Sequence, residues 1–471
     1  SVVDASDVTG LREEWSMVSY FGRLDYNYDN RYLLSASVRA DGSSRFADGN
    51  RYSVFPSFAL GWRLSSEKFA QSWKWLDDMK IKASWGQLGN QDIGLYAFRG
   101  VMAPYYYNMN GSSVTGYAPA QAYNPNISWE TTTQTDLGLE FSILRGALSL
   151  EADYYIKTTK DMLVQLPVSS TSGFATGAYE NSGKVRNSGF ELTISHAKRS
   201  GEFKYDISAN FTTIKNEVLN LGGQEQPIDD NIFFDYTVRT QKGKPMRQMY
   251  GYVMEGIYQN EAEVKQHLYN TENPSFQAGD VRYKDLNNNG KFDVGDRTEI
   301  GNTLPKFLYG LNLSASYKGI DFSAQFQGVG GNDIYNVAKF WSENTGETHN
   351  YGKAVLNSWR GEGTSNTIPR LTLGSTQNNV ASTRYVESGD YFRLKNLQIG
   401  YTFPKKWMKK INIRSLRIYA NAQNLFTITG YSGFNPEVGT SRVANRSSYG
   451  LDEITYPQAR TFTFGINLGI F

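Results

Sequence analysis

LNLSASYKGIDFSAQFQG, residues 311–328, alternates apolar and polar side chains through a turn and keeps alternating beyond it. Leu311, Leu313, Ala315 and Tyr317 share one face, and Ile320, Phe322, Ala324 and Phe326 continue it after Lys318 and Gly319. Asn312, Ser314, Ser316, Asp321, Ser323, Gln325 and Gln327 take the other face. Successive strand residues point to opposite sides, so the stretch predicts an antiparallel hairpin with one apolar and one polar face. What covers the apolar face decides the fold.

The pattern recurs along the chain. Leu137, Leu139, Phe141 and Ile143 alternate with Asp136, Gly138, Glu140 and Ser142, and after a turn at 144–146 the row resumes as Leu148, Leu150, Ala152, Tyr154 and Ile156. Similar rows are Tyr32, Leu34, Ala36 and Val38; Phe58, Leu60, Trp62 and Leu64; Ile81, Ala83 and Trp85; and Phe190, Leu192 and Ile194. Tyr205, Ile207, Ala209 and Phe211 form another, as do Leu416, Ile418, Ala420 and Ala422. With segments 18–28, 397–403 and 462–470, the alternation predicts about thirteen strands.

Connections between these strands alternate in length. Tight turns are expected at 28–31, 144–146, 198–201, 318–319 and 404–412, with a short helix over SEKFAQSWKWLDD, 66–78, on the same side. Every second connection is a loop, long at 86–128, 157–183, 217–304, 328–390 and 429–457, and short only at 40–52. In an up-and-down antiparallel order, alternate connections fall at opposite ends, so one end is trimmed and the other elaborate. That asymmetry describes a transmembrane β-barrel with short periplasmic turns and long extracellular loops.

Composition bounds the alternatives. The 471 residues carry 48 basic and 46 acidic side chains, so no global basic field attracts nucleic acid. Cysteine is absent, which excludes disulfides, thiolate metal sites and cysteine nucleophiles, and the histidines, His196, His267 and His349, are far apart in sequence. Thirty-two tyrosines stand beside a mean hydropathy of -0.50, an unusual pairing of many rings with a polar average. No run approaches the roughly 18 apolar residues of a spanning helix. SVVDASDVTGLREEW, 1–15, has no initiator Met, signal core or cleavage pattern, so the chain is expected to be an internal fragment of a longer precursor.

Alternation alone fits a soluble β-sandwich or propeller equally well. No blade-length repeat is found, however, and sandwich connections do not sort by length at alternate ends. The polar faces also carry Arg39, Arg63, Lys82, Glu140, Glu151, Glu191 and Asp206, which suit a wet lumen where neighbouring strands exchange counter-charges. Tyr154, Tyr309, Tyr317 and Tyr401, at the ends of apolar rows, suit interfacial girdles. The expected fold is therefore all-β, an antiparallel up-and-down transmembrane barrel whose apolar side faces lipid. An open sheet in lipid leaves unpaired edges, and bacterial barrels have even strand numbers, so the missing strands are expected from another segment, most simply an N-terminal one.

Several motifs together resemble the SusC/RagA-like family of TonB-dependent outer-membrane transporters of Bacteroidetes. They are RYLLSASVRADGSSRF (31–46), NPNISWETTTQTDLGLEF (124–141), GKVRNSGFEL (183–192), GDVRYKDLNNNGKFDVGDRTEIGN (279–302), YFRLKNLQIGYTFP (391–404), NAQNLFTITGYSGFNPE (421–437) and YPQARTFTFGINLGIF (456–471). The resemblance implies that residues 1–471 are the C-terminal about 13 of about 22 barrel strands. It implies an N-terminal plug and TonB-contacting segment outside this chain, and a SusD-like surface lipoprotein that lids the barrel over an oligosaccharide or peptide nutrient. Phe471 departs from the family's terminal aromatic by following Ile470 out of alternation. A passive porin or structural barrel is the first alternative, and a soluble β-sandwich binding module the second.

Two candidate sites stand out. DLNNNGKFDVGD, 285–296, inside the large loop 217–304, places Asp285, Asn287, Asn289, Asp293 and Asp296 at positions one, three, five, nine and twelve of a calcium-type loop. The Lys291 carbonyl is expected at position seven. Ca²⁺ needs oxygens wrapped around one centre, which alternate short Asp and Asn side chains and a turn glycine provide; an Asn/Gly-rich turn held by side-chain to backbone bonds has the same composition. Either way the role expected is to stiffen the loop. APYYYNMNGSSVTGYAPAQAYNP, 103–125, gathers Tyr105, Tyr106, Tyr107, Tyr117 and Tyr123, with Trp341 in another loop. Such rings can stack on sugars, pack against peptide side chains, pack within the loop or meet the lid. Nucleophile elbows, paired catalytic carboxylates and phosphate loops are not evident, so no enzyme is expected.

Overall fold

The computed structural model describes residues 14–470 except 101, 120–121, 166–170, 172, 175–176, 223–225, 234–235, 268–275, 345–349, 375–376, 439 and 444–445. His349, Phe471 and the first thirteen residues therefore lie outside the described residues. Thirteen strands follow one another in chain order across a single antiparallel sheet. They are β1 (Met17–Tyr28), β2 (Tyr32–Ser43), β3 (Tyr52–Arg63), β4 (Leu76–Asn90), β5 (Glu130–Ile143), β6 (Leu148–Lys160) and β7 (Lys184–Lys198). β8 (Phe203–Thr213), β9 (Phe307–Tyr317), β10 (Ile320–Gly330), β11 (Tyr391–Thr402), β12 (Ile413–Thr429) and β13 (Thr461–Ile470) complete the path. A further strand, Lys215–Asn220, pairs with β7 off this path.

The chain divides into two compact units, residues 1–140, 153–187 and 218–225, and residues 141–152, 188–217 and 226–471. In the first, the β2–β3 register sets Leu34 opposite Leu60 and Ala36 opposite Phe58, and β3–β4 sets Phe58 opposite Trp85. This apolar row lies open, with Phe58 51% and Leu60 59% exposed. The opposite face is polar and internally bonded. Ser37 and Ser57 share a 2.7 Å hydrogen bond, Arg39 holds Asp41 at 2.7 Å, and Lys82 reaches Asp153 at 3.0 Å and Glu140 at 3.6 Å. The hydrophobic cluster described in this unit gathers Phe46, Phe55, Ile127 and Trp129 at the loop end.

The second unit answers what covers the opening hairpin. Lys318 and Gly319 turn it with φ of 47° and 90°, the left-handed backbone that a two-residue hairpin needs and glycine adopts freely. Tyr205, Ala315, Phe322, Ile399, Ala420 and Phe464 then align across β8 to β13 as one apolar row. Nearer the turns, Phe203, Tyr317, Ile320, Tyr401, Ile418 and Ile466 form a second. Among the described residues no protein layer covers them: Ile399 is 52% and Ile466 71% exposed. Soluble proteins rarely leave contiguous apolar surface on this scale open to water. Asn312, Gln325, Asn396, Gln423 and Thr461 align on the reverse face, where Arg417 pairs with Asp321.

Two expectations need correction. Residues 66–78 form no α-helix; the stretch holds 3₁₀ turns at Leu64–Ser66 and Ala70–Ser72, and β4 has begun by Leu76. Short helices depend on burying an apolar face, and here Ala70 alone of its turn is buried while Phe69 and Trp75 stay exposed. The segment 404–412, expected as a plain turn, contains a short helix, Lys405–Lys409, seated on buried Met408. The long connections are also more ordered than plain loops. Residues 217–304, beginning inside the strand Lys215–Asn220, carry a four-stranded sheet of Ile228–Phe233, Tyr236–Thr240, Gln248–Gly251 and Thr298–Gly301.

Candidate functional site

The elaborate end of the sheet carries the candidate chemistry. In the first unit, Met102–Met109 and Ser112–Pro119 pair as a hairpin, with Tyr106 opposite Thr115 and Pro104 opposite Tyr117. Tyr106 and Tyr117 therefore share a face, and they are its most open rings, 72% and 70% exposed. Tyr105 and Tyr107 occupy the reverse face, with the Tyr107 ring packed over Gly116. Tyr123 lies outside the hairpin with its ring against Gly100. The structure thus splits the five tyrosines among three settings, and only Tyr106 and Tyr117 form an open pair.

Trp341 belongs to the second unit, on the helix Val337–Glu343. Its ring meets Phe340 edge-on at 5.5 Å and packs against a core containing Met249, Tyr335, Tyr385 and Leu451. That helix is capped by Asn336, whose side chain accepts from the Lys339 N–H at 2.9 Å, satisfying one of the orphan donors of its first turn. Arg384 and Glu343, both nearly sealed from solvent, pair at 3.0 Å beneath it.

The 285–296 loop is anchored by Phe292, whose ring lies 4.5 Å from Tyr252 and 5.1 Å from Tyr283. Its polar side chains are bonded internally. Asp285 accepts from Gly290 N–H at 2.8 Å, Asn287 from Asn289 N–H at 3.0 Å, and Asn289 from Lys291 N–H at 2.7 Å. Asp293 accepts from the Asn289 amide at 2.8 Å and Gly295 N–H at 2.7 Å. Those donors, the Asn289 amide foremost, hold the Asp293 carboxyl below the usual carboxylate range. Asp296, 1% exposed, accepts from Leu286 and Asp293 N–H groups. The donor set is oxygen-rich, as Ca²⁺ requires, yet the turn closes through its own bonds, and among the described residues no cluster of three carboxylates or histidines converges as a metal centre.

Sequence reasoning missed a cavity of about 750 Å³ in the second unit, within the size range of ligand sites. Asn336, Lys339, Glu343, Glu387, Ser432 and Asp452 line it. Glu387 accepts from Ser432 N–H at 2.8 Å and pairs with Lys339 at 3.4 Å. Asp452, 1% exposed, accepts from the Tyr431 hydroxyl at 2.6 Å; burial, then that carboxylate, push the Tyr431 phenol well above its ordinary value. These residues come from two separate connections, 328–390 and 429–457, so no local motif announces them.

Comparison with known proteins places this geometry. The family described as TonB dependent receptor-like, beta-barrel, matches residues 6–425. TonB-dependent receptor P3 of Formosa agariphila is 32% identical over 470 residues, covering 97% of this chain and 46% of the relative. TonB-dependent receptor SusC of Bacteroides thetaiotaomicron is 31% identical, covering 96% of this chain and 44% of the relative. The structure of the RagAB peptide transporter superposes with a TM-score of 0.81 at 27% identity, over 96% of this chain and 48% of that one. The chain spans about half the length of these relatives. With that family matched across nearly its whole length, the chain belongs to the TonB-dependent receptor-like β-barrel family of the outer membrane, a family of receptors and transporters rather than enzymes.

Proposed function

We propose that this chain forms barrel wall and extracellular surface of a TonB-dependent importer of oligosaccharide or peptide nutrients, working with an N-terminal plug and barrel segment, a TonB complex and a SusD-like surface lipoprotein. The observation that carries the reading is the sheet's polarity: an open apolar face, a hydrogen-bonded polar face, and elaborated connections at one end only. Substrate held under the lid would meet the loop surface, where Tyr106 and Tyr117 offer ring faces, and pass the polar wall when TonB displaces the plug. Likeness to a peptide transporter and to SusC supports the importer class and leaves peptide and glycan as the two substrate classes to test.

The test is uptake by cells carrying the complete polypeptide, fed oligosaccharide or peptide as sole nutrient, with and without TonB. Growth that needs TonB and the co-purifying lipoprotein supports the importer; uptake indifferent to TonB establishes the passive porin. Tyr106→Ala with Tyr117→Ala is expected to weaken substrate capture by at least about fivefold, since stacked rings contribute roughly 0.5–1.5 kcal/mol each beyond area burial. We also propose a structural Ca²⁺ for the 285–296 loop, held by Asp285, Asn287, Asn289, Asp293, Asp296 and the Lys291 carbonyl, on the strength of the ligand spacing. Loop proteolysis that is unchanged by chelator rejects the ion and leaves a self-bonded turn.

A further inference from the structure

The trimmed end of the second unit is strongly basic. Its connections are 144–147, 199–202, 318–319 and 403–412, and they carry Arg145, Arg199, Lys318, Lys405, Lys406, Lys409 and Lys410 against a single acid, Glu202. All these side chains are exposed, and Glu202 is taken up by Lys318 at 3.4 Å. Among the described residues no carboxylate pairs with Lys405, Lys406, Lys409 or Lys410. The balanced charge of the chain as a whole therefore hides a local excess of positive charge at one rim.

That rim borders the lipid-facing surface. Immediately above it runs the exposed row Phe203, Tyr317, Ile320, Ile418 and Ile466, and the basic segment 405–411 itself presents Trp407 and Ile411, 55% and 56% exposed. Lysines interleaved with an open Trp and Ile at the end of an apolar wall form an interfacial anchor: rings and aliphatic groups enter the headgroup boundary while the ammonium groups stay at its polar face. The trimmed turns of the first unit are less basic: Arg31 pairs with Asp29 and Glu67, and the 64–75 connection adds Lys68 and Lys74.

We infer that the 405–410 lysine cluster, with Arg145 and Arg199, binds anionic phospholipid headgroups of the leaflet that meets the short turns. The ligand chemistry is a phosphodiester carrying net negative charge on a diacyl lipid, with Trp407 and Ile411 seated among the acyl chains beside it. Each basic side chain near such a surface contributes about a fivefold preference for anionic over zwitterionic lipid, and the preference declines as salt screens it.

The test uses the complete transporter in mixed micelles holding equal amounts of phosphatidylglycerol and phosphatidylcholine, with retained lipid read by native mass spectrometry. Wild type is expected to retain phosphatidylglycerol selectively. Lys405→Gln, Lys406→Gln, Lys409→Gln and Lys410→Gln together are expected to abolish most of that preference while leaving sheet content by circular dichroism unchanged. A second variant, Arg145→Gln with Arg199→Gln, reads the same preference from other turns and is expected to reduce it severalfold. Equal retention of both lipids by wild type, or undiminished selectivity in both variants, overturns the inference. Displacement of the lipid by millimolar inorganic phosphate also overturns it, by showing a free-anion site.

Discussion

Asp296 shows how much one buried carboxylate can hold. Its two oxygens accept the N–H groups of Leu286 and Asp293, joining the start of the 285–296 loop to its end, and solvent reaches 1% of its surface. Asp296→Ala leaves both donors without a partner, at a cost of roughly 1–3 kcal/mol for each. Faster proteolytic nicking between residues 285 and 296 is the expected result, with the sheet unaffected. Asp293 adds a pH dependence. Its folded-state carboxyl is held below the ordinary value by the Asn289 amide and the Gly295 N–H. A lowered folded value means stabilisation that is complete above the unfolded carboxylate range of about 3.9 and lost as pH falls through the folded value. Loop protection should therefore persist at neutral pH and fade only under strongly acidic conditions, and Asp293→Asn should flatten that profile.

At the scale of elements, the helix Val337–Glu343 depends on an ion pair rather than on its length. Seven residues are too few for intrinsic helix stability, and Arg384 compensates the buried Glu343 from below at 3.0 Å. Arg384→Met strands that carboxylate, which costs about 3–5 kcal/mol, whereas Arg384→Met with Glu343→Gln removes both charges and should recover most of the loss. Hydrogen exchange across 337–343 distinguishes the two variants. Elements also mark where the sequence was legible. Strands β8 to β13 could be read from Tyr205, Leu313 or Ile418 because their period of two is local and one whole face is oily. The four-stranded sheet within the 217–304 connection could not, since Gln248 and Arg239 pair through contacts that no alternation announces. The cavity was hidden for the same reason: Asn336, Glu387 and Asp452 meet only after two connections fold together. Tyr106 and Tyr117 were visible as residues, but their shared face required the hairpin register.

For the molecule as a whole, the decisive property is that the sheet has one oily face and one wet face, and adjacent residues of the opening hairpin report on each. Leu313 lies midway along β9, opposite Ile207 and Ala324 on the apolar face; Asn312, one residue earlier, stands opposite Ser208 and Gln325 on the polar face. Backbone position, secondary structure and strand depth are shared, so only the medium differs. Placing a guanidinium against hydrocarbon near mid-membrane costs about 2–4 kcal/mol, whereas a lumenal position keeps it hydrated and shifts selectivity instead. Leu313→Arg should lower the unfolding free energy of the complete polypeptide by that amount in phospholipid vesicles, followed by tryptophan fluorescence in guanidinium. Asn312→Arg should change it by less than about 1 kcal/mol. The opposite ranking, with arginine tolerated at 313 and costly at 312, would turn the sheet inside out and place the apolar rows against protein.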